Sequence, residues 1–238
     1  IRSSIACLKS TEKIISLAKK TNGRLHVFHL STKEEAKLFD NQNDLKNKKI
    51  TSEVCIHHLS FNDADYKTKG NFIKWNPSIK TIEDQNALWD ALRSDKIDVI
   101  ATDHAPHTFN EKNQLYVDCP SGGPLVQHSL YIMYEHFLEK RISLEKIVEK
   151  MCHNPAILFN IKKRGFIREG FFADLVILRK NQSWVINKNN ILYKCGWSPF
   201  EGKKINSMIT HTFVSGNLAY ENGVFNQNIM GKKIEFNS

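Results

Sequence analysis

Three times before residue 140 the chain passes from a short apolar segment of strand length into a helical pattern, and this alternation narrows the fold more than any other feature. Residues 24–30 precede a helix over 33–39, with Ser31 and Thr32 as caps. Residues 52–59 lead through a long loop to a helix over about 83–93, where Ala87, Leu88, Ala91 and Leu92 share one face. Residues 98–103 lead through an irregular loop to a helix over about 125–138. Apolar strands separated by helices cannot pair as hairpins; they pack parallel, with helices covering the sheet faces. The spacing therefore predicts an α/β fold, either open or closed into a barrel. A helix over 11–21, stopped by Gly23, precedes the first strand, and another over about 144–159, capped by Ser143, follows the third unit. After residue 160 the pattern changes to short alternating segments punctuated by Gly and Asn, including Gly165-Phe166-Ile167 and residues 173–178 and 207–216. The expected division is a barrel-type unit over 1–160 and a small β-rich appendage over 161–238.

Hydrophobic residues make up 41% of the 238 and charged residues 25%, enough to bury a core and too apolar for intrinsic disorder. No apolar run reaches the roughly 20 residues of a membrane span, and the first twenty residues lack a signal-peptide core. A cytoplasmic location is expected, with no membrane partner. The net charge of +9 is spread over small clusters such as Lys19-Lys20, Lys48-Lys49 and Lys203-Lys204, without interleaved aromatics. That pattern reads as a solvated surface and not as a nucleic-acid groove, whose signature would be salt-sensitive binding. Cys7, Cys55, Cys119, Cys152 and Cys195 are scattered and never spaced C-x-x-C, so neither a disulfide framework nor a cysteine zinc site is expected.

Polar chemistry concentrates in Thr102-Asp103-His104-Ala105-Pro106-His107, where an apolar strand ends in an acid and two imidazoles. Active sites of parallel α/β folds lie at the C-terminal ends of strands, which makes Asp103 a candidate to bind a metal, orient a histidine or carry a proton. A strand-end aspartate also caps loops. His29 ends its own strand and offers an imidazole to a divalent ion, although a hydrogen-bonded core histidine has the same sequence signature. His26, three residues earlier, faces the other way. His57 and His58, as neighbours on a strand, should point to opposite faces, so they read as packing or supporting residues. Asn76, in Lys74-Trp75-Asn76-Pro77, can present a donor and an acceptor to a polar heterocycle, though Asn-Pro is also ordinary turn chemistry. The loop Cys119-Pro120-Ser121-Gly122-Gly123-Pro124 can present bare backbone N–H groups, and it matches no phosphate-binding motif.

These segments, in this order, together with Asn154-Pro155-Ala156 and Gly170-Phe171-Phe172-Ala173-Asp174-Leu175-Val176, resemble the bacterial dihydroorotases, within the cyclic amidohydrolases of the amidohydrolase superfamily. The resemblance implies a (β/α)8 TIM-type barrel with a binuclear Zn2+ centre that reversibly converts N-carbamoyl-aspartate and dihydroorotate in pyrimidine biosynthesis. It implies His29 as the sixth-strand metal ligand and Asp103 as both the eighth-strand ligand and the proton carrier. Asn76, His107, Ser121 and Gly122 would hold the substrate. The first-strand His-x-His pair with its following Arg, the fourth-strand carboxylated Lys or acid and the fifth-strand His do not occur in the sequence. They are expected to precede Ile1, making this chain a C-terminal part that holds three of eight barrel strands plus the appendage. Such a part exposes two unpaired sheet edges, so the chain alone is expected to be unstable and inactive. The alternatives are an allantoinase or hydantoinase, or a catalytically silent dihydroorotase-like subunit that partners aspartate transcarbamoylase; a homodimer is the expected self-assembly.

Overall fold

The computed structural model describes residues 3–41 and 44–237; Ile1, before which the missing ligands were expected, lies outside the described residues. Parallel strands β1 (Leu25–Val27), β2 (Ile50–Cys55) and β3 (Val99–Ala101) form one sheet in the order β1-β2-β3, with Leu25 opposite Ile50 and Cys55 opposite Ala101. Among the described residues this sheet is open. Each strand ends earlier than its apolar run, because the backbone leaves the sheet before the hydrophobic residues stop. After β2 the chain coils at once into a short helix, Ile56–Ser60. His57 and His58 therefore lie on a helical turn, which overturns the expectation that they point to opposite faces of a strand.

The helices follow their capping signals. The first, Ser4–Thr21, begins earlier than expected because the Ser3 side chain accepts the Ala6 N–H, and it ends where Asn22 takes a left-handed conformation. Thr81 and Asp84 form a reciprocal capping box that starts the helix Ile82–Arg93, whose buried Leu88, Trp89 and Leu92 face the core. The expected 125–138 helix starts only at Ser129, since the amides of Leu125 and Val126 donate to His104 Nδ1 and that of Gln127 donates to Tyr193 Oη. Residues 144–158 are helical throughout but contain a π turn, Glu149–His153. Within that turn, buried Lys150 donates to Ile97 O at 2.9 Å; Asn154, just beyond it, donates to Asp98 O at 2.7 Å, which pins this helix to the approach of β3.

Below the sheet, Lys48 and Asp98 form a buried ion pair at 2.7 Å, and Asp98 also accepts the Ser52 N–H. Burial pushes the Asp98 carboxyl above its ordinary range, against the pull of Lys48. Substituting Lys48→Met strands a buried carboxylate, so urea unfolding should show a loss of about 3 kcal/mol or more; an unchanged midpoint would show that the pair contributes nothing.

The appendage is an antiparallel sheet of β4 (Leu175–Val185), β5 (Lys204–Val214), β6 (Asn217–Glu221) and β7 (Val224–Phe225), in that order. Gly165-Phe166-Ile167 lies outside it, contrary to the sequence reading. Strand β5 docks on the helix Ser129–Leu138: the Ile209 N–H donates to Tyr131 Oη, and the Asn206 backbone and side-chain amides donate to the Glu135 carboxylate. That contact carries the appendage on the same framework that holds the strand ends.

Candidate active site at the strand ends

His29 stands two residues past β1, and Asp103 two residues past β3. Both backbones have positive φ, +40° and +47°. Such a conformation is sparse for residues other than glycine, and Asp and His tolerate it better than most. In each case the turn breaks the ladder and leaves the side chain at the C-terminal rim of the sheet. Although β2 lies between their strands, the two groups sense one another: burial raises the Asp103 carboxyl above its ordinary range, the His29 charge opposes that rise and the Glu53 carboxylate reinforces it. His29 Nδ1 is buried and has no hydrogen-bond partner among the described residues. An unpartnered imidazole nitrogen and a half-buried carboxylate at the same sheet rim are the donor types that a divalent ion takes.

His26 is held structurally, as its position suggested, by Thr51 Oγ1 at 2.9 Å and Glu53 at 3.2 Å. His104, the second member of the Asp-His string, is likewise consumed by accepting the Leu125 and Val126 amides.

His107, Ser121 and Gly122 come together on the two loops beyond β3. His107 Nε2 lies 3.1 Å from Ser121 O, and its carbonyl accepts the Trp197 indole N–H at 2.7 Å. The Ala105 N–H donates to Gly123 O, closing one loop on the other. Gly122 has φ +118°, and a Cβ there would lie 2.7 Å from Ala105 O, so only glycine fits this approach. Its N–H is not bare, as the loop composition suggested, but donates to Lys74 O at 2.9 Å. That bond links the loop to the segment carrying Asn76, which is exposed.

Two buried lysines, which composition alone would place on the surface, organise these loops. Lys112 donates to Pro120 O at 2.9 Å and Gly122 O at 2.8 Å, and Lys74 donates to the carbonyls of Tyr116 and Cys119. Substituting Lys112→Met leaves those carbonyls without their charged donor, at a cost of about 2–3 kcal/mol. Urea unfolding checks this, and proteolysis within 115–122 should accelerate in parallel.

Sequence reasoning missed one group altogether. Cys55, His57 and His58 are all buried, and their ligating atoms lie within 4.8 Å of one another. Among the described residues they are the one group of three or more potential ligands close enough to share an ion. The group is a candidate that stands against the expectation that no cysteine takes part in a metal site. The signal was present in the sequence as Cys-x-His-His, but a two-residue strand period disperses side chains that a helical turn gathers. Burial lowers both imidazoles, His58 to about 3, with its bond to Pro77 O opposing the shift.

The chain matches the amidohydrolase family over residues 7–219. It is 36% identical over 208 residues to a dihydroorotase of Endomicrobium trichonymphae, covering 87% of this chain and 49% of the relative. It is 32% identical over 220 residues to a dihydroorotase of Pyrococcus furiosus, covering 92% and 50%. Among solved structures, L-hydantoinase from Arthrobacter aurescens superposes with a TM-score of 0.83 at 27% identity, covering 92% of this chain and 49% of that one. D-hydantoinase from Thermus sp. gives 0.85 at 22% identity, covering 97% and 51%. The chain thus spans about half the length of the relatives it matches. The strand-end imidazole and carboxylate, the parallel α/β sheet with its antiparallel appendage, and a family match over most of the sequence agree: the chain belongs to the amidohydrolase family.

Proposed function

We propose that this chain forms the C-terminal half of a zinc-dependent dihydroorotase, opening the cyclic amide of dihydroorotate to N-carbamoyl-aspartate and closing it again. The observation that carries the reading is that His29 and Asp103 each stand two residues past a strand of one sheet, at its C-terminal rim and on a positive-φ turn. No third residue joins them among the described ligand groups, so the remaining ligands of a binuclear centre would come from polypeptide outside this chain. Residues 1–160 would then supply the last three strands of a closed barrel and 161–238 its appendage.

Zinc, when bound, polarises the amide carbonyl and makes water nucleophilic near neutral pH. The rest of the chemistry belongs to the protein. Asp103, a carboxylate at the strand rim, would take a proton from the attacking water and give it to the departing ring nitrogen. Asn76 would offer its amide to the ring, while His107 and Ser121 would hold the substrate carboxylate from loops that Gly122, its own N–H taken by Lys74 O, keeps interlocked. The same reading places the reaction in cytoplasmic pyrimidine biosynthesis and carries with it a homodimer.

A second reading is favoured by the likeness to L-hydantoinase from Arthrobacter aurescens at 27% identity. The two separate in one assay: the chain is combined with the half of the Endomicrobium trichonymphae dihydroorotase that it does not cover, loaded with zinc, and given dihydroorotate, allantoin and hydantoin. Preferred opening of dihydroorotate supports the proposal. Preference for hydantoin or allantoin replaces it with another cyclic amidohydrolase. Binding of zinc without turnover of any substrate replaces it with a silent subunit, for which aspartate transcarbamoylase is the partner to test.

A further inference from the structure

We propose that Cys55, His57 and His58 form a second metal site, separate from the His29–Asp103 pair, that binds a soft or borderline ion such as Zn2+ through one thiolate and two neutral imidazoles. The proposal stands independently of the dihydroorotase reading, because none of these residues has a role in it.

Local geometry makes the group. Cys55 is the last residue of β2, and the helical turn Ile56–Ser60 begins immediately after it, bringing the two imidazoles back beside the thiol; their ring centroids are 4.2 Å apart. The side chains are already constrained. The His57 ring stacks on Trp75 with centroids 4.3 Å apart and planes 6° from parallel. His58 Nε2 lies 3.2 Å from Pro77 O, and since a carbonyl can only accept, that nitrogen carries the proton and Nδ1 keeps its lone pair. Metal-binding histidines are commonly oriented in this way, one nitrogen donating to a carbonyl and the other free to ligate.

What the cluster lacks is partners. Both His57 ring nitrogens and His58 Nδ1 are buried without a hydrogen-bond partner among the described residues. Buried polar groups without partners are costly, so three in one cluster call for an occupant. A single cation satisfies one lone pair on each ring and the sulfur together. The donor set selects its class: thiolate with imidazole suits Zn2+ and its neighbours, while Mg2+ and Ca2+ require oxygen ligands. Bonds of about 2.0 Å to nitrogen and 2.3 Å to sulfur draw the ligand atoms closer than they now lie, through small side-chain movements. Binding converts the Cys55 thiol to a thiolate, forming the sulfur–metal bond and releasing one proton to solvent.

Cobalt(II) is the probe, because a thiolate ligand gives it a near-ultraviolet charge-transfer band that nitrogen and oxygen ligands do not. Co2+ is titrated under reducing, oxygen-free conditions into the full 238-residue chain, into Cys55→Ser and His57→Gln, and into the double variant His29→Ala with Asp103→Asn. The expected result is a charge-transfer band that saturates at one equivalent in the parent and in the double variant, and is lost in Cys55→Ser and weakened in His57→Gln. Circular dichroism shows whether the parent and each variant are folded; a parent not folded alone is titrated, with its variants, in assembly with the complementary dihydroorotase half, and if Cys55→Ser is not folded, Cys55→Ala replaces it. Absence of the band from the folded parent or its survival in a Cys55 variant overturns the proposal and leaves buried water as the occupant. Loss of the band in the double variant also overturns it, since the metal would then belong to the strand-end pair.

Discussion

Replacing Asp103 with asparagine lowers the turnover of dihydroorotate by about 1,000-fold in the zinc-loaded assembly with the complementary half of a dihydroorotase. Asparagine preserves the shape of the carboxylate, so the loops that hold His107, Ser121 and Gly122 keep their bonds. What it removes is the group that accepts and returns a proton, a function worth about 100- to 10,000-fold in comparable chemistry, and because it also weakens a zinc ligand the loss is read at equal zinc content. The loss should fall on kcat, with KM little changed, because binding is carried by other residues. Asn76→Ala should do the reverse, raising KM with a smaller effect on kcat. A kcat for Asp103→Asn within a few-fold of the parent would remove Asp103 from the chemistry and leave it as a loop cap.

Stability should fall steeply as the pH drops below the ordinary histidine range. His128 and His136 are buried, and burial lowers each to about 4; a bond to Glu139 partly opposes the shift at His136. In the unfolded chain both imidazoles titrate near their ordinary value of about 6.5. Between those limits the unfolded state binds more protons than the folded state, so folding free energy is fully present above about pH 6.5 and is lost as pH falls toward about 4. Each imidazole contributes roughly 1 kcal/mol per pH unit across that window. His57 and His58, which burial also lowers, act in the same direction, and against a typical total of about 5–15 kcal/mol such groups together dominate acid unfolding. Urea midpoints at pH 7 and pH 5 measure this, and His136→Gln should flatten the dependence. A midpoint that does not move between the two values would show that these rings are solvated.

The parallel α/β character was legible because it rests on a pattern, apolar runs alternating with amphipathic helices, that is set by burial on both faces of a sheet. The candidate pair was legible for a related reason: an acid or an imidazole that ends an apolar run has to leave the sheet there. Strand ends were not legible to the residue. The run through Ile56 and Leu59 is as apolar as a strand, and only the backbone distinguishes a strand from the helical turn Ile56–Ser60. That single misreading hid the meeting of Cys55, His57 and His58. The buried roles of Lys74 and Lys112 were hidden because lysine is almost always exposed, and their carbonyl acceptors are distributed along loops with no sequence signature. The Ser121-Gly122 loop was read as one that presents bare backbone N–H groups, and the use of the Gly122 N–H by Lys74 O was not legible because it depends on how two distant loops dock.

Anomalous scattering at the zinc edge, from crystals of this chain assembled with the complementary dihydroorotase half, tests the hydrolytic reading most directly. A peak about 2 Å from both the His29 imidazole and the Asp103 carboxylate is the predicted result. Zinc found only elsewhere, or bound to one of these residues while the other turns away, would contradict it.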